Sequence, residues 1–124
     1  MPHTKPRVII IVEDENDIGA VLSAMLSQYG HRLAIVNDIP LACAITSAIR
    51  PDLVIVDAKL RGGDGEEVAK TAQALDIPVL LISGDLEVIE RSMGGSIPFL
   101  AKPFRLSDLE LRVEELLKRN DHAA

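Results

Sequence analysis

Two acidic residues, Glu13 and Asp14, directly follow the apolar run VIIIV at residues 8–12, and a single carboxylate, Asp57, ends the run LVIV that begins at Leu53. Ser83 closes a third run, PVLLI from Pro78, and Lys102 follows a fourth, PFLA at 98–101. If these runs are strands lying side by side, their ends gather an acidic cluster opposite a hydroxyl and an amine. Were Asp14 and Asp57 to come within about 4 Å, their repulsion is ~1 kcal/mol in water and ~4 kcal/mol at an effective dielectric of 20, so the cluster calls for a cation. Carboxylates, a backbone carbonyl and water suit Mg²⁺, and no His or Cys cluster in the sequence supports zinc. Taken singly, each residue has a plainer role. An Asp at a strand end is commonly a turn former or helix cap, Ser83 a turn residue, Lys102 a solvated charge, and Glu13 with Asp14 a pair that favours a helix start.

The elements that must position these residues are readable from the spacing of apolar side chains. The continuous runs at Val8, Leu53 and Pro78, with a weaker one, LAIV, from Leu33, read as strands buried on both faces, and PFLA reads as a less distinct fifth. Between them the period becomes helical. Ile18, Val21, Leu22, Met25 and Leu26 form one stripe, with Asn16 or Asp17 as its cap. Leu41, Ala44, Ile45 and Ala48 form a second behind Asp38 and Pro40, Val68, Ala72 and Leu75 a third, and Val88, Ile89 and Met93 a short fourth. In the last helix Ser107 and Glu110 read as a capping box ahead of Leu109, Val113, Leu116 and Leu117. The alternation βαβαβαβαβα predicts an α/β fold, a three-layer domain with right-handed crossovers. In such sheets the chemistry collects at the C-terminal ends of the strands.

Composition narrows the function. A chain of 124 residues holds one domain, here read as 1–124 with a core of about 7–119, and 48% apolar against 2% aromatic residues makes the core aliphatic. A net charge of −6 argues against direct nucleic-acid binding, which needs clustered Lys and Arg. Cys43 is the only cysteine and reads as a packing residue, and no apolar run is long enough for a membrane span or a signal peptide, so the chain reads as cytoplasmic. His3, His31 and His122 have no matching acid or metal partner in the sequence, so a phosphohistidine carrier is not indicated. RGGDG at 61–65 lacks the lysine and spacing of a phosphate-cradling loop and reads as a flexible turn.

With these residues in place, VIIIVEDE, LVIVDAKLRGGDG, VLLISG and FLAKPF in that order resemble the receiver domain of two-component response regulators, over essentially the whole chain. The resemblance implies a flavodoxin-like (βα)5 doubly wound parallel sheet of five strands in the order 2-1-3-4-5. It implies that Asp57 is the phosphoacceptor, that Glu13, Asp14, Asp57 and the backbone carbonyl of Lys59 hold Mg²⁺, and that Ser83, Phe99 and Lys102 bind the phosphoryl group and switch. A cis peptide before Pro103 is also implied. Lys59 and Asp85 take positions bordering the path of attacking water, where they would set the lifetime of the acyl phosphate. An exposed ion pair is their plainer role.

Glu13 stands where Asp is commoner in the family, Ser83 where Thr is, and Phe99 where Tyr is. The stretch from Ser83 to Lys102 is a few residues short, which predicts a short or displaced fourth helix. The implied partners are a sensor histidine kinase or a histidine phosphotransfer protein, and an unidentified downstream protein, with the domain a monomer or weak homodimer. The reading is a phosphoacceptor rather than an enzyme acting on other molecules. Two alternatives stand beside this: a phosphorylation-independent interaction module or a receiver cut from a longer regulator, and an aspartate-nucleophile phosphatase. The latter wants a second Asp two residues after the nucleophile, where this chain has Lys59.

Overall fold

Strands rich in Ile, Val and Leu are buried on both faces only if helices cover both, and this requirement organises the computed structural model, which describes residues 7–60, 62–85 and 97–122. In chain order the elements are β1 (Val8–Val12), α1 (Asn16–Ser27), β2 (Arg32–Val36), α2 (Ile39–Ile49), β3 (Leu53–Asp57), β4 (Lys59–Leu60), β5 (Gly63–Asp64), α3 (Glu66–Ala74), β6 (Val79–Ser83), β7 (Phe99–Ala101) and α4 (Leu106–His122). The five main strands lie β2-β1-β3-β6-β7, all pairings parallel, which is the expected 2-1-3-4-5 order. The apolar stretch around Val88, Ile89 and Met93 lies outside the described residues.

Alternate residues of each central strand serve opposite faces. Ile10, Val12, Val54 and Val56 join α2 and α3 in one core, while Ile9, Ile11, Leu53 and Ile55 join α1 and α4 in the other. Ile9, Ile10 and Ile11 are fully buried, each contributing roughly 1.5–3 kcal/mol of transfer free energy. No helix among the described residues is long and apolar enough to cross a membrane.

Helix faces follow the predicted stripes where polar residues flank them. Leu109, Val113, Leu116 and Leu117 of α4 are buried, as are Val68 and Ala72 of α3. In α1, Leu22, Met25 and Leu26 are buried but Val21 is 49% exposed. The cap also differs: α1 begins at Asn16, with Glu15 as its N-cap and no side-chain capping bond. The second stripe is out of phase. Asp38 caps α2 by accepting the Leu41 N–H (2.8 Å), but Ile39, Ala42 and Thr46 are buried and Leu41 is 50% exposed. The segment IPLACAITSAI carries no charge, so its spacing marks no outer face, and the Ile39 side chain, in contact with the core over β1 and β3, decides the rotation. In place of a Ser107–Glu110 box, α4 starts at Leu106 and Asp108 accepts the Arg105 backbone N–H (3.2 Å).

The expected flexible turn at 61–65 is instead tied down at both ends. Lys59 and Leu60 pair antiparallel with Asp64 and Gly63, Leu60 is buried, and Gly65 N–H donates to the Ala58 carbonyl (2.8 Å). Gly63 adopts φ +143°, open to glycine at little cost. Gly65 is needed for a different reason: a Cβ there would lie 1.9 Å from the Asp57 carbonyl oxygen and 3.0 Å from Val56 Cγ2. Gly62, by contrast, has open space where a Cβ would go. Gly65→Ala is therefore expected to lower the unfolding free energy by on the order of 2–4 kcal/mol in urea titrations, and Gly62→Ala to stay within about 0.5 kcal/mol. Equal effects at the two positions would refute the close approach of residue 65 to Asp57.

Candidate functional site

Parallel register delivers the chemistry to one end of the sheet. Val12 pairs with Val56, Asp57 with Ile82, and Ser83 with Ala101, so Glu13, Asp57, Ser83 and Lys102 all emerge at the same C-terminal edge. Backbone bonds continue the ladder beyond the regular pairs: Glu13 N–H donates to the Val36 carbonyl (3.0 Å), Ala58 N–H to that of Ile82 (2.8 Å), and Lys102 N–H to that of Ser83 (2.8 Å). Glu13, Asp57 and Ser83 are only 4%, 7% and 2% exposed.

Both oxygens of Asp57 have partners. Oδ2 accepts from the Lys102 ammonium at 2.7 Å, and Oδ1 from the Lys59 backbone N–H at 3.0 Å, which leaves the Lys59 side chain in solvent. Glu13 lies near enough to Asp57 to feel its charge, and its Oε2 accepts the Asp14 N–H at 3.1 Å. Burial first, then the charge of Asp57, pushes the Glu13 carboxyl from 4.5 up to about 7, against the opposing pull of Lys102. For Lys102, burial lowers the pKa, but the hydrogen bond and charge of Asp57, with Glu13 and Glu15, outweigh it and the net shift is upward. Ser83 Oγ accepts the Asp85 N–H (2.9 Å), which orients the hydroxyl and leaves its proton available to donate.

Glu13, Asp57 and Lys102 are thus brought into contact, with Ser83 on the adjoining strand. Asp14 and Asp85 are half-buried beside them. Phe99 is half-buried against the core on the α2–α3 side, and the Lys102–Pro103 peptide is cis. Among the described residues no group of three or more His, Cys, Asp or Glu side chains is arranged to hold a metal ion. Lys102 takes one Asp57 oxygen, and Glu13 Oε2 accepts the Asp14 backbone N–H. The donor chemistry still fits a hard divalent cation, since two buried carboxylates face one ammonium.

Two glycines escaped the sequence reading. Gly65 lets the loop close under Asp57, and Gly84 sits against the Lys102 stem, where a Cβ would lie 3.5 Å from Lys102 Cβ. The available signal was position: each adjoins a residue that carries chemistry or opens a helix.

The family model described as "Response regulator receiver domain" matches residues 9–114. The chain is 28% identical over 117 residues to the DNA-binding response regulator MtrA of Mycolicibacterium paratuberculosis, covering 91% of this chain and 52% of that protein. It is 33% identical over 126 residues to the transcriptional regulatory protein PrrA of Mycobacterium tuberculosis, covering 98% and 54%. The chain therefore spans about half the length of these relatives. Among solved structures, the non-phosphorylated HemR receiver domain of Leptospira biflexa superposes with a TM-score of 0.77 at 28% identity, covering 91% of this chain and 94% of that one.

The raised Glu13 carboxyl makes a signed prediction. Between pH 4.5 and about 7 the unfolded chain gives up this proton while the folded one keeps it, so this group's contribution to stability falls as pH rises through that window. In chelator-containing buffer Glu13→Gln is expected to match wild type near pH 4 and to exceed it by on the order of 1 kcal/mol or more near pH 8, by chemical denaturation. A gain that does not grow with pH would contradict the assignment.

Proposed function

The chain belongs to the response regulator receiver domain family of two-component signalling, and on that premise we propose that Asp57 is the residue that accepts the phosphoryl group and that Glu13, Asp14, Ser83, Phe99 and Lys102 serve it. The observation that carries this reading is the 2.7 Å contact between Asp57 Oδ2 and Lys102 Nζ at the end of a fully buried strand, next to a second buried acid.

One Asp57 oxygen attacks phosphorus, an O–P bond forms, and the bond from phosphorus to the donor's leaving atom breaks. A phosphohistidine donor leaves as imidazole. Lys102, with three N–H donors and an upward-shifted pKa, remains a cation throughout and moves from the carboxylate to the oxygens of the transferring group. Ser83, its oxygen already tethered by the Asp85 N–H, gives its hydroxyl proton to a phosphoryl oxygen once the group has arrived. Lys59 N–H holds the other Asp57 oxygen and so fixes the plane of the nucleophile. Glu13, Asp14, Asp57 and the Lys59 carbonyl are the residues that would hold Mg²⁺, which when bound supplies countercharge to the phosphoryl oxygens.

The acyl phosphate then replaces a carboxylate with a bulkier, more highly charged group in the same pocket. Lys102 and Ser83 follow it, and because the Lys102 N–H is bonded to the Ser83 carbonyl, the ends of β6 and β7 respond together. Phe99, at the start of β7, repacks further into the core. Lys59, exposed and two residues after Asp57, and Asp85, half-buried and two after Ser83, control water's approach to phosphorus. The phosphoryl source is a histidine kinase or histidine phosphotransfer protein, and the output is a change in what the domain binds.

Incubation with a small acyl phosphate and Mg²⁺ is expected to add about 80 Da to the intact mass. Chelation of Mg²⁺ or Asp57→Asn should abolish the adduct, and Lys102→Ala should slow its formation at least about tenfold. A folded wild type that gains no mass with Mg²⁺ and donor would overturn the reading. On the phosphorylated protein, Lys59→Ala and Asp85→Ala should each change the dephosphorylation rate several-fold. Rates equal to wild type would remove these two residues from the control of lifetime.

A further inference from the structure

At the end of the sheet opposite Asp57, the central strand β1 starts between two side chains that substitute for the missing carbonyls of a ladder. The Val8 N–H donates to Asp52 Oδ2 at 2.9 Å on the β3 side, and the Arg7 N–H donates to His31 Nδ1 at 3.0 Å on the β2 side. Strand-type backbone bonds flank both caps: Asp52 N–H to the Val8 carbonyl and Arg32 N–H to the Arg7 carbonyl, each 2.8 Å. The two acceptors differ in one respect. A carboxylate accepts at every pH at which the domain would work, whereas an imidazole nitrogen accepts only while it carries no proton.

The geometry points to His31 as a proton-operated latch on the β1–β2 ladder, closed when Nδ1 accepts the Arg7 N–H and opened when Nδ1 is protonated. His31 is 7% exposed, so it has little freedom to rotate its ring into solvent and keep both the proton and the fold. Protonation sets Nδ1–H against the Arg7 N–H, donor against donor. It also places a second cation beside the Arg7 guanidinium, whose side chain is 10% exposed and lies 3.7 Å from Asp52 Oδ1.

Three groups among the described residues act on or face the ring. Arg7 disfavours the imidazolium and Asp52 favours it, while the Tyr29 ring stands at 6.4 Å, tilted by 57°, with its hydroxyl donating to Glu110 of α4. Burial is the largest influence, Arg7 the next, and together they outweigh Asp52, so the His31 pKa lies below 6.5 in the folded domain. The stabilisation by the latch is thus fully present above pH 6.5 and is lost as pH falls through the folded pKa. Through Tyr29 and Glu110 the same turn is fastened to α4, so release of His31 loosens the contact between the α1–β2 turn and the last helix. The latch is separated from Asp57 by the length of the strands, about 17 Å for five residues, and does not depend on the phosphoacceptor reading.

The test is a pH titration by NMR on the intact chain between pH 8 and 4.5. At high pH the His31 ring should be the Nε2–H tautomer. On acidification the Arg7 amide should shift, and its protection from exchange should fall by up to about tenfold per pH unit, in step with protonation of the ring below pH 6.5. His31→Asn offers an oxygen where Nδ1 stood but does not titrate. In that variant the Arg7 amide should stay protected and the acid-side loss of stability should shrink, Glu13 and the other histidines titrating equally in both proteins. A ring that titrates at 6.5 or above, an Arg7 amide indifferent to it, or the same pH dependence in His31→Asn would each overturn the proposal. Should the variant not fold, the wild-type ring and amide measurements decide alone.

Discussion

Everything at the functional end of this molecule depends on one imbalance: two carboxylates, Glu13 and Asp57, are taken out of water against a single ammonium, Lys102. A buried charge without a partner is costly, and a buried pair is tolerable only when its geometry is good. Lys102 satisfies Asp57 at 2.7 Å, and the proton drawn onto Glu13 relieves the remainder. As pH rises through about 7 and Glu13 gives up its proton, the second negative charge returns, and the fold carries that tension as a pH-dependent weakness.

The sheet holds this imbalance in place without devoting any flexible part to it. Each functional group sits at, or one residue beyond, the last paired position of a strand: Glu13 after β1, Asp57 ending β3, Ser83 ending β6, Lys102 after β7. The parallel register therefore sets their separations, and the two apolar layers set the register, since a slip by one residue would exchange the layers. Gly65 acts at the same scale, letting the loop backbone approach Asp57 where a Cβ would collide with its carbonyl.

Most of this was legible where residue type and spacing agree. VIIIV, LVIV and VLLI have no polar alternative to a doubly covered strand, and the α4 stripe is flanked mostly by charged residues, with Leu106 and Leu111 left exposed. Legibility failed where composition is uniform or where distance is tertiary. In α2 nearly every position is apolar, so the buried face, Ile39, Ala42 and Thr46, is chosen by what it meets rather than by its own pattern. The proximity of Glu13, Asp57 and Lys102 could be inferred from strand ends, but not which oxygen Lys102 would hold or that Glu13 would accept the Asp14 backbone N–H. The role of His31 was invisible for the same reason, because its partner, Arg7, is 24 residues away across a strand pair.

The pairing of Asp57 with a lysine 45 residues later has a consequence for the order of assembly. Strand β7 is three residues long, lies at the edge of the sheet, is only half-buried, and comes last in chain order among the five sheet strands. A chain that has collapsed around β1 and β3 but has not yet docked β7 holds Asp57 without its ammonium. The Asp57–Lys102 pair therefore forms only when β7 docks, so completion of the sheet and neutralisation of Asp57 are one event.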